Sequence, residues 1–284
     1  MDFLGALFEY RFVQTAVAAC LLASIGCGIM GAFVVVKRIS ALAGGIAHAV
    51  LAGMGIAYFF NASPILGAVI AALVSALLIG LIKLRWKQDE EVLIAAFWSV
   101  GMAIGVLFIS RTEGYNINLM SYLFGNVLLV SGNDLLRMLV LDGVVFVVVG
   151  LFYRQFLATA FDEEFARLRG VNVEFFYILM LAMIALTVVL LIQIVGLLLV
   201  IALLVLPAAS AGQFVRTLPG MMLLAVVISA CTSLGGLAVS YSPDLPAGAT
   251  IIVLAGLVYI LAIVLARYMP KRIASHKPQA TSYK

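Results

Sequence analysis

The run FFYILMLAMIALTVVLLIQIVGLLLVIALLVLPAASAGQFV, Phe175 to Val215, extends over 41 residues without one charged side chain. A single α-helix of that length would measure about 62 Å against a hydrocarbon core of about 30 Å, so the run must cross a bilayer twice. Gln193 and Gly196 mark the place where the chain turns back, and Pro207 predicts a kink in the second crossing. Working outward, further runs are long and apolar enough, or nearly so, to span: Phe12 to Val36, Ala41 to Phe60, Pro64 to Leu84, Val92 to Ile109, Leu135 to Tyr153, Leu218 to Ser240 and Ala247 to Ala266. The expected fold is all-α, a polytopic bundle of about eight to nine transmembrane helices.

Composition agrees. Of 284 residues, 65% are hydrophobic and 11% charged, and the mean hydropathy is +1.22. Soluble globular domains carry about 25% charged residues, so a soluble fold is excluded. Residues 1–270 read as one transmembrane domain. The tail from Lys271 to Lys284 is polar and basic and reads as disordered, with His276 solvated within it. Asp2 and Glu9 replace a basic leader, which makes the first apolar run a retained span. Cys20, Cys27 and Cys231 all fall in apolar runs, where small packing residues are expected rather than disulfides or a zinc site.

FDEEFARLRG, Phe161 to Gly170, is the one strongly polar helix-like stretch. Asp162 can cap its N-terminus, Glu163 and Glu164 suit the positive end of the helix dipole, Arg167 and Arg169 suit the negative end, and Gly170 can close the last turn. Phe161, Phe165 and Leu168 form an apolar face, as in a helix lying along a membrane surface and offering a handle to a soluble partner. If that helix is cytoplasmic and loops alternate, only Arg11, Arg111 and Arg137 of the 17 basic residues lie outside. The positive-inside rule then places the N-terminus outside and the C-terminus in the cytoplasm. The net charge of +4 follows from this bias and implies no nucleic-acid partner. KLRWKQDEE, Lys83 to Glu91, reads as a mixed-charge cytoplasmic turn that anchors the chain or makes a secondary partner contact.

Ionisable groups inside spans are costly and therefore candidates for function. His48 lies within AGGIAHAVLAGMGI, among Gly44, Gly45, Gly53 and Gly55. Its imidazole suits zinc, manganese or iron, and one such ligand per subunit at a dimer axis would bind an ion weakly enough to release it. The alternative is a histidine making one interhelical hydrogen bond. Asp142, in LVLDGVVFVV, could supply an oxygen ligand, bond across helices, or pair with Arg137. Gln193, Thr187 and Thr232 are adequately explained by interhelical hydrogen bonds. GMAIG, Gly101 to Gly105, has the spacing of a close helix crossing. Asn116 to Gly132 is apolar but short, and reads as either a re-entrant element on the outer side or a plain loop, with Gly125 and Gly132 permitting sharp turns. No phosphate-binding loop, HExxH or GxSxG motif is present, so a nucleotide site would sit on another chain.

GAFVVVKRISALAGGIAHAVLAG (Gly31 to Gly53), SYLFGNVL (Ser121 to Leu128), FDEEFARLRGVNV (Phe161 to Val173) and IVGLLLVIALLVLPAASA (Ile194 to Ala211) together resemble the membrane permease subunits of bacterial zinc, manganese and iron ABC importers. The resemblance implies a cytoplasmic-membrane permease, itself no enzyme, acting as a dimer with a second copy. It implies a cytoplasmic ABC ATPase docked on the helix Phe161 to Gly170 as coupling helix, and an extracytoplasmic protein that delivers the metal. No permanently bound cofactor is implied, only a transported Zn or Mn ion. Family members often carry an aspartate four residues before the histidine matching His48; here that position is Gly44. An imidazole without a neighbouring carboxylate is the softer site, which favours zinc. A secondary, ion-coupled transporter using His48 and Asp142 as a relay is the alternative, and an intramembrane enzyme lacks a paired nucleophile and base.

Overall fold

A computed structural model describes residues 3–86, 90–112, 125, 127–243 and 245–268. Within them the chain is helical throughout: α1 (Phe3–Glu9), α2 (Arg11–Val36), α3 (Ser40–Phe59), α4 (Pro64–Trp86), α5 (Glu90–Ser110), a 3-10 turn (Val127–Leu129), α6 (Gly132–Leu151), α7 (Tyr153–Phe161), α8 (Glu163–Leu168), α9 (Val173–Val195), α10 (Leu197–Phe214), α11 (Leu218–Tyr241) and α12 (Ala247–Tyr268). Eight of these are long and apolar enough to cross a membrane, and α6 with α7 makes a ninth candidate. The tail beyond Tyr268, Lys87 and most of Asn116 to Gly132 lie outside the described residues, as does the Gln193 side chain.

The turn between the two crossings of Phe175 to Val215 falls at Gly196, whose φ of +86° suits a residue without Cβ. Gly125, at φ +63°, fits against this break: a Cβ there would stand 2.3 Å from the Val195 carbonyl carbon. Gly125 thus packs directly on the α9–α10 turn, a place where a residue with a Cβ would clash. Pro207 lies inside α10, where it cannot donate to the carbonyl one turn back.

Two features depart from the pattern read in the sequence. The chain opens with a short helix, α1, tied to α2 by a hydrogen bond from the Gln14 side chain to the Leu7 carbonyl, before the first span begins. The fifth span begins at Gly132 rather than Leu135, with Ser131 and Asp134 forming a reciprocal capping box. It ends at Leu151, where the chain bends by 76° into α7. Nothing polar interrupts Leu151, Phe152 and Tyr153, so hydropathy alone conceals the bend.

α2 runs through the middle of the bundle, packed on α6, α10 and α11, while α3 is held between α4 and α5. The Gly101 to Gly105 motif makes the close crossing its spacing predicts. A Cβ on Gly101 would lie 2.8 Å from the Ala49 Cα, and one on Gly105 2.8 Å from the Leu51 carbonyl oxygen. Cys20 and Cys27 are buried free thiols, as expected of packing residues. Cys231 is different: it is exposed on α11 and contributes nothing to the interior of this chain.

Candidate functional site: an intramembrane imidazole and a capped surface helix

The polar stretch between the fifth and sixth spans is built from caps. Asp162 ends α7 in an extended conformation and starts α8, its Oδ1 accepting the Phe165 amide at 2.9 Å. Glu163 and Glu164 occupy the first turn of α8 and Arg167 the last. At the other end Gly170 takes φ +77°, its amide donating to the Arg167 carbonyl at 3.0 Å while Val171 donates to Ala166 at 3.0 Å. This pair of bonds is a Schellman closure. Asn172 then caps α9, accepting the Phe175 amide at 3.1 Å.

The helix is therefore shorter than Phe161 to Gly170. Phe161 is the last residue of α7, because Asp162 serves as end cap for one helix and start cap for the next. Ala166 is buried against the protein, while Phe165 and Leu168 are 49% and 88% exposed. The Arg169 guanidinium lies 5.0 Å from the Phe165 ring centroid, holding that ring by a cation–π contact. An apolar pair framed by Glu163, Glu164 and Arg167 is thus presented outward.

Inside the membrane region His48 is half-buried on α3. Its ring stacks on Trp98 of α5, with centroids 4.3 Å apart and planes at 13°. This contact was not legible in the sequence, where the two residues are fifty positions apart. One residue after His48 begins a hollow of about 330 Å³ between α3, α4 and α5, with Ala49, Ala52, Ser75, Phe97 and Val100 in its walls. Those walls are almost wholly apolar and offer an ion no hydration substitute.

Asp142 has different neighbours. It is 8% exposed on α6, facing α2 and α9: a Cβ on Gly26 would meet its Oδ1 at 2.7 Å, and Thr187 borders the same spot. Its Oδ2 has no hydrogen-bond partner. Arg137 is not its counter-ion, since that guanidinium binds Asp134 at 3.1 Å. Thr187 and Thr232 donate to carbonyls of their own helices rather than across helices. Among the described residues no group of three or more His, Cys, Asp or Glu side chains converges to hold a metal. The described residues thus supply isolated donors, not a cage.

Residues 9–266 match the family model described as the ABC 3 transport family. This chain belongs to that family. An uncharacterised membrane protein of Synechocystis is 42% identical over 259 residues, covering 91% of this chain and 92% of that one. The manganese transport system membrane protein MntC of Halalkalibacterium halodurans is 34% identical over 260 residues, covering 92% and 89%. The solved structure of PsaBC from Streptococcus pneumoniae in complex with Fab has a chain of the same fold, with a TM-score of 0.84, 28% identity, and coverage of 94% of this chain and 97% of that one. The resemblance drawn from four segments therefore extends along the whole membrane domain. As a family member the chain is a multi-pass membrane protein of a bacterial ABC transport system.

Proposed function

We propose that this chain is the permease of an ATP-driven importer of a divalent transition metal, with manganese as the favoured cargo. Manganese is named for relatives that match nearly the full chain, and this outweighs the preference for zinc drawn from imidazole chemistry alone. A single imidazole outside any cluster of three or more His, Cys, Asp or Glu among the described residues suits a cargo that must bind weakly and leave. His48 is the pathway residue, and two copies of the chain would bring two imidazoles to a shared axis. Asp142, among Gly26 and Thr187, is read as a helix-packing group instead.

The observation that carries the reading is α8. A six-residue helix with caps at both ends presents two exposed apolar side chains inside a charged frame, a compact surface for a soluble partner to grip. A cytoplasmic ABC ATPase is that partner, and an extracytoplasmic metal-binding protein supplies the ion. This orientation places the N-terminus outside and the C-terminus in the cytoplasm. Family membership disfavours a self-powered carrier.

The test is uptake of manganese by proteoliposomes holding this chain, its ATPase and its metal-binding protein. ATP-dependent uptake is expected, and His48→Ala should reduce it while leaving assembly intact. Uptake by the chain alone would refute the reading.

A further inference from the structure

We propose that Lys37 is the positioning residue through which displacement of α8 reaches the transmembrane bundle, in a clasp completed by Glu163, Tyr177 and Lys83. The inference rests on α8 being the helix on which an ATPase docks.

Lys37 caps the C-terminus of α2, and its side chain is only 10% exposed. Its Nζ stands 2.5 Å from Oε1 of Glu163, the first residue of α8, across 126 positions of sequence. The same ammonium lies 5.6 Å from the ring centroid of Tyr177, which is fully buried near the start of α9. Lys83, in the last turn of α4, donates to the Tyr177 hydroxyl at 3.1 Å and sits 4.6 Å from the ring centroid. The Tyr177 ring attracts both cations, and the Glu163 carboxylate offsets their mutual repulsion. Ends of four helices, α2, α4, α8 and α9, are thereby joined around one side chain.

Covalently, α8 is connected only to α7 and α9. Without the clasp, a push on α8 would pass directly to those two helices alone and would reach α2 and α4 only through side-chain packing on α9. With it, the push reaches α2, which packs on α6, α10 and α11, and α4, which packs on the helix bearing His48. The α3–α4 crossing cannot absorb the movement, because a Cβ on Gly53 would stand 2.2 Å from the Gly67 carbonyl oxygen. Lys37 is too well screened from water to give up its carboxylate cheaply. The clasp therefore works as a strut that stays closed, rather than a switch.

The experiment uses the complete proteoliposome system and reads manganese imported per ATP hydrolysed. Lys37→Met should leave the ATPase docked and active while import per ATP falls about tenfold, within the usual range of coupling between sites. Lys37→Arg should retain most of the coupling. Lys37→Glu should uncouple as well, and adding Glu163→Lys to it should restore import by rebuilding the pair in reverse. Parental import per ATP in Lys37→Met would overturn the clasp. So would failure of the reversed pair to improve on Lys37→Glu, a comparison that decides the matter even if Lys37→Met does not reach the membrane. No ATP-dependent import by the parental complex would sink the reading of α8 itself, and with it the strut.

Discussion

The His48 imidazole lies flat on the Trp98 indole, 4.3 Å between centroids, so a helix that carries the candidate pathway residue is joined to its neighbour by the very ring in question. Stacking occupies a face of the imidazole and leaves the nitrogens at its edge free to act. Aromatic pairs of this kind contribute about 0.5–1.5 kcal/mol beyond area burial. Trp98→Ala is expected to weaken His48-dependent manganese binding by roughly 2- to 10-fold, the equivalent of that energy. The chain has two tryptophans, so in a Trp86→Phe background Trp98 fluorescence reports the site directly. Manganese should quench it, and His48→Ala should abolish the quenching.

Gly44 sits one turn before His48, and a side chain there would meet little: the nearest heavy atom to its Cβ is Ile201 Cδ1 at 4.0 Å. Gly44→Asp is therefore expected to be accommodated and to add a carboxylate on the same helix face. Manganese should bind at least about tenfold more tightly, as expected when a hard oxygen ligand joins an imidazole, and release should slow. Calorimetry gives the affinity, and a fall in import rate at saturating ATP gives the release.

Phe165 is exposed and its ring meets Arg169, the residue that ends its own short helix, so Phe165→Asp should not unfold the spans. Loss of an aromatic anchor from a docking surface typically costs about 2 kcal/mol or more. Co-purification of the ATPase should fall by about 30-fold or more in affinity, with the thermal midpoint of the permease unchanged. Undiminished co-purification would remove α8 from the interface.

Asp142 is a buried carboxylate whose Oδ2 lacks a partner. Asp142→Asn keeps the shape and removes the ionisable group. It should leave the protein as stable or more stable by ~1 kcal/mol, with manganese uptake preserved. A stable variant that fails to transport would return Asp142 to the ion pathway.

Gly53 and Gly67 let α3 and α4 approach to backbone contact. Gly53→Val should separate them, destabilising the bundle by about 1–3 kcal/mol as overpacked cores do. A lowered thermal midpoint in detergent checks this.

Much of this architecture could be read before any coordinates. Span lengths follow from bilayer thickness, the turn at Gly196 from the excess length of Phe175 to Val215, and the caps Asp162 and Gly170 from side-chain chemistry acting over three or four residues. What escaped reading is tertiary. The bend after Leu151 has only Gly150 beside it, one glycine among many in the spans, and Phe161 falls in the preceding helix because one aspartate caps two. The pairing of Lys37 with Glu163, and of His48 with Trp98, depends on which helix ends meet in space. Local pattern carries no information about that.

Between the last residue of α8 and the first of α9 lie only Arg169 to Asn172, and the backbone there is spoken for by the Gly170 closure and the Asn172 cap. A linker without slack stores almost no elastic energy. Each stroke delivered to α8 must then arrive at the bundle nearly undamped, so lengthening this junction by a few flexible residues would turn a stiff crank into a loose one.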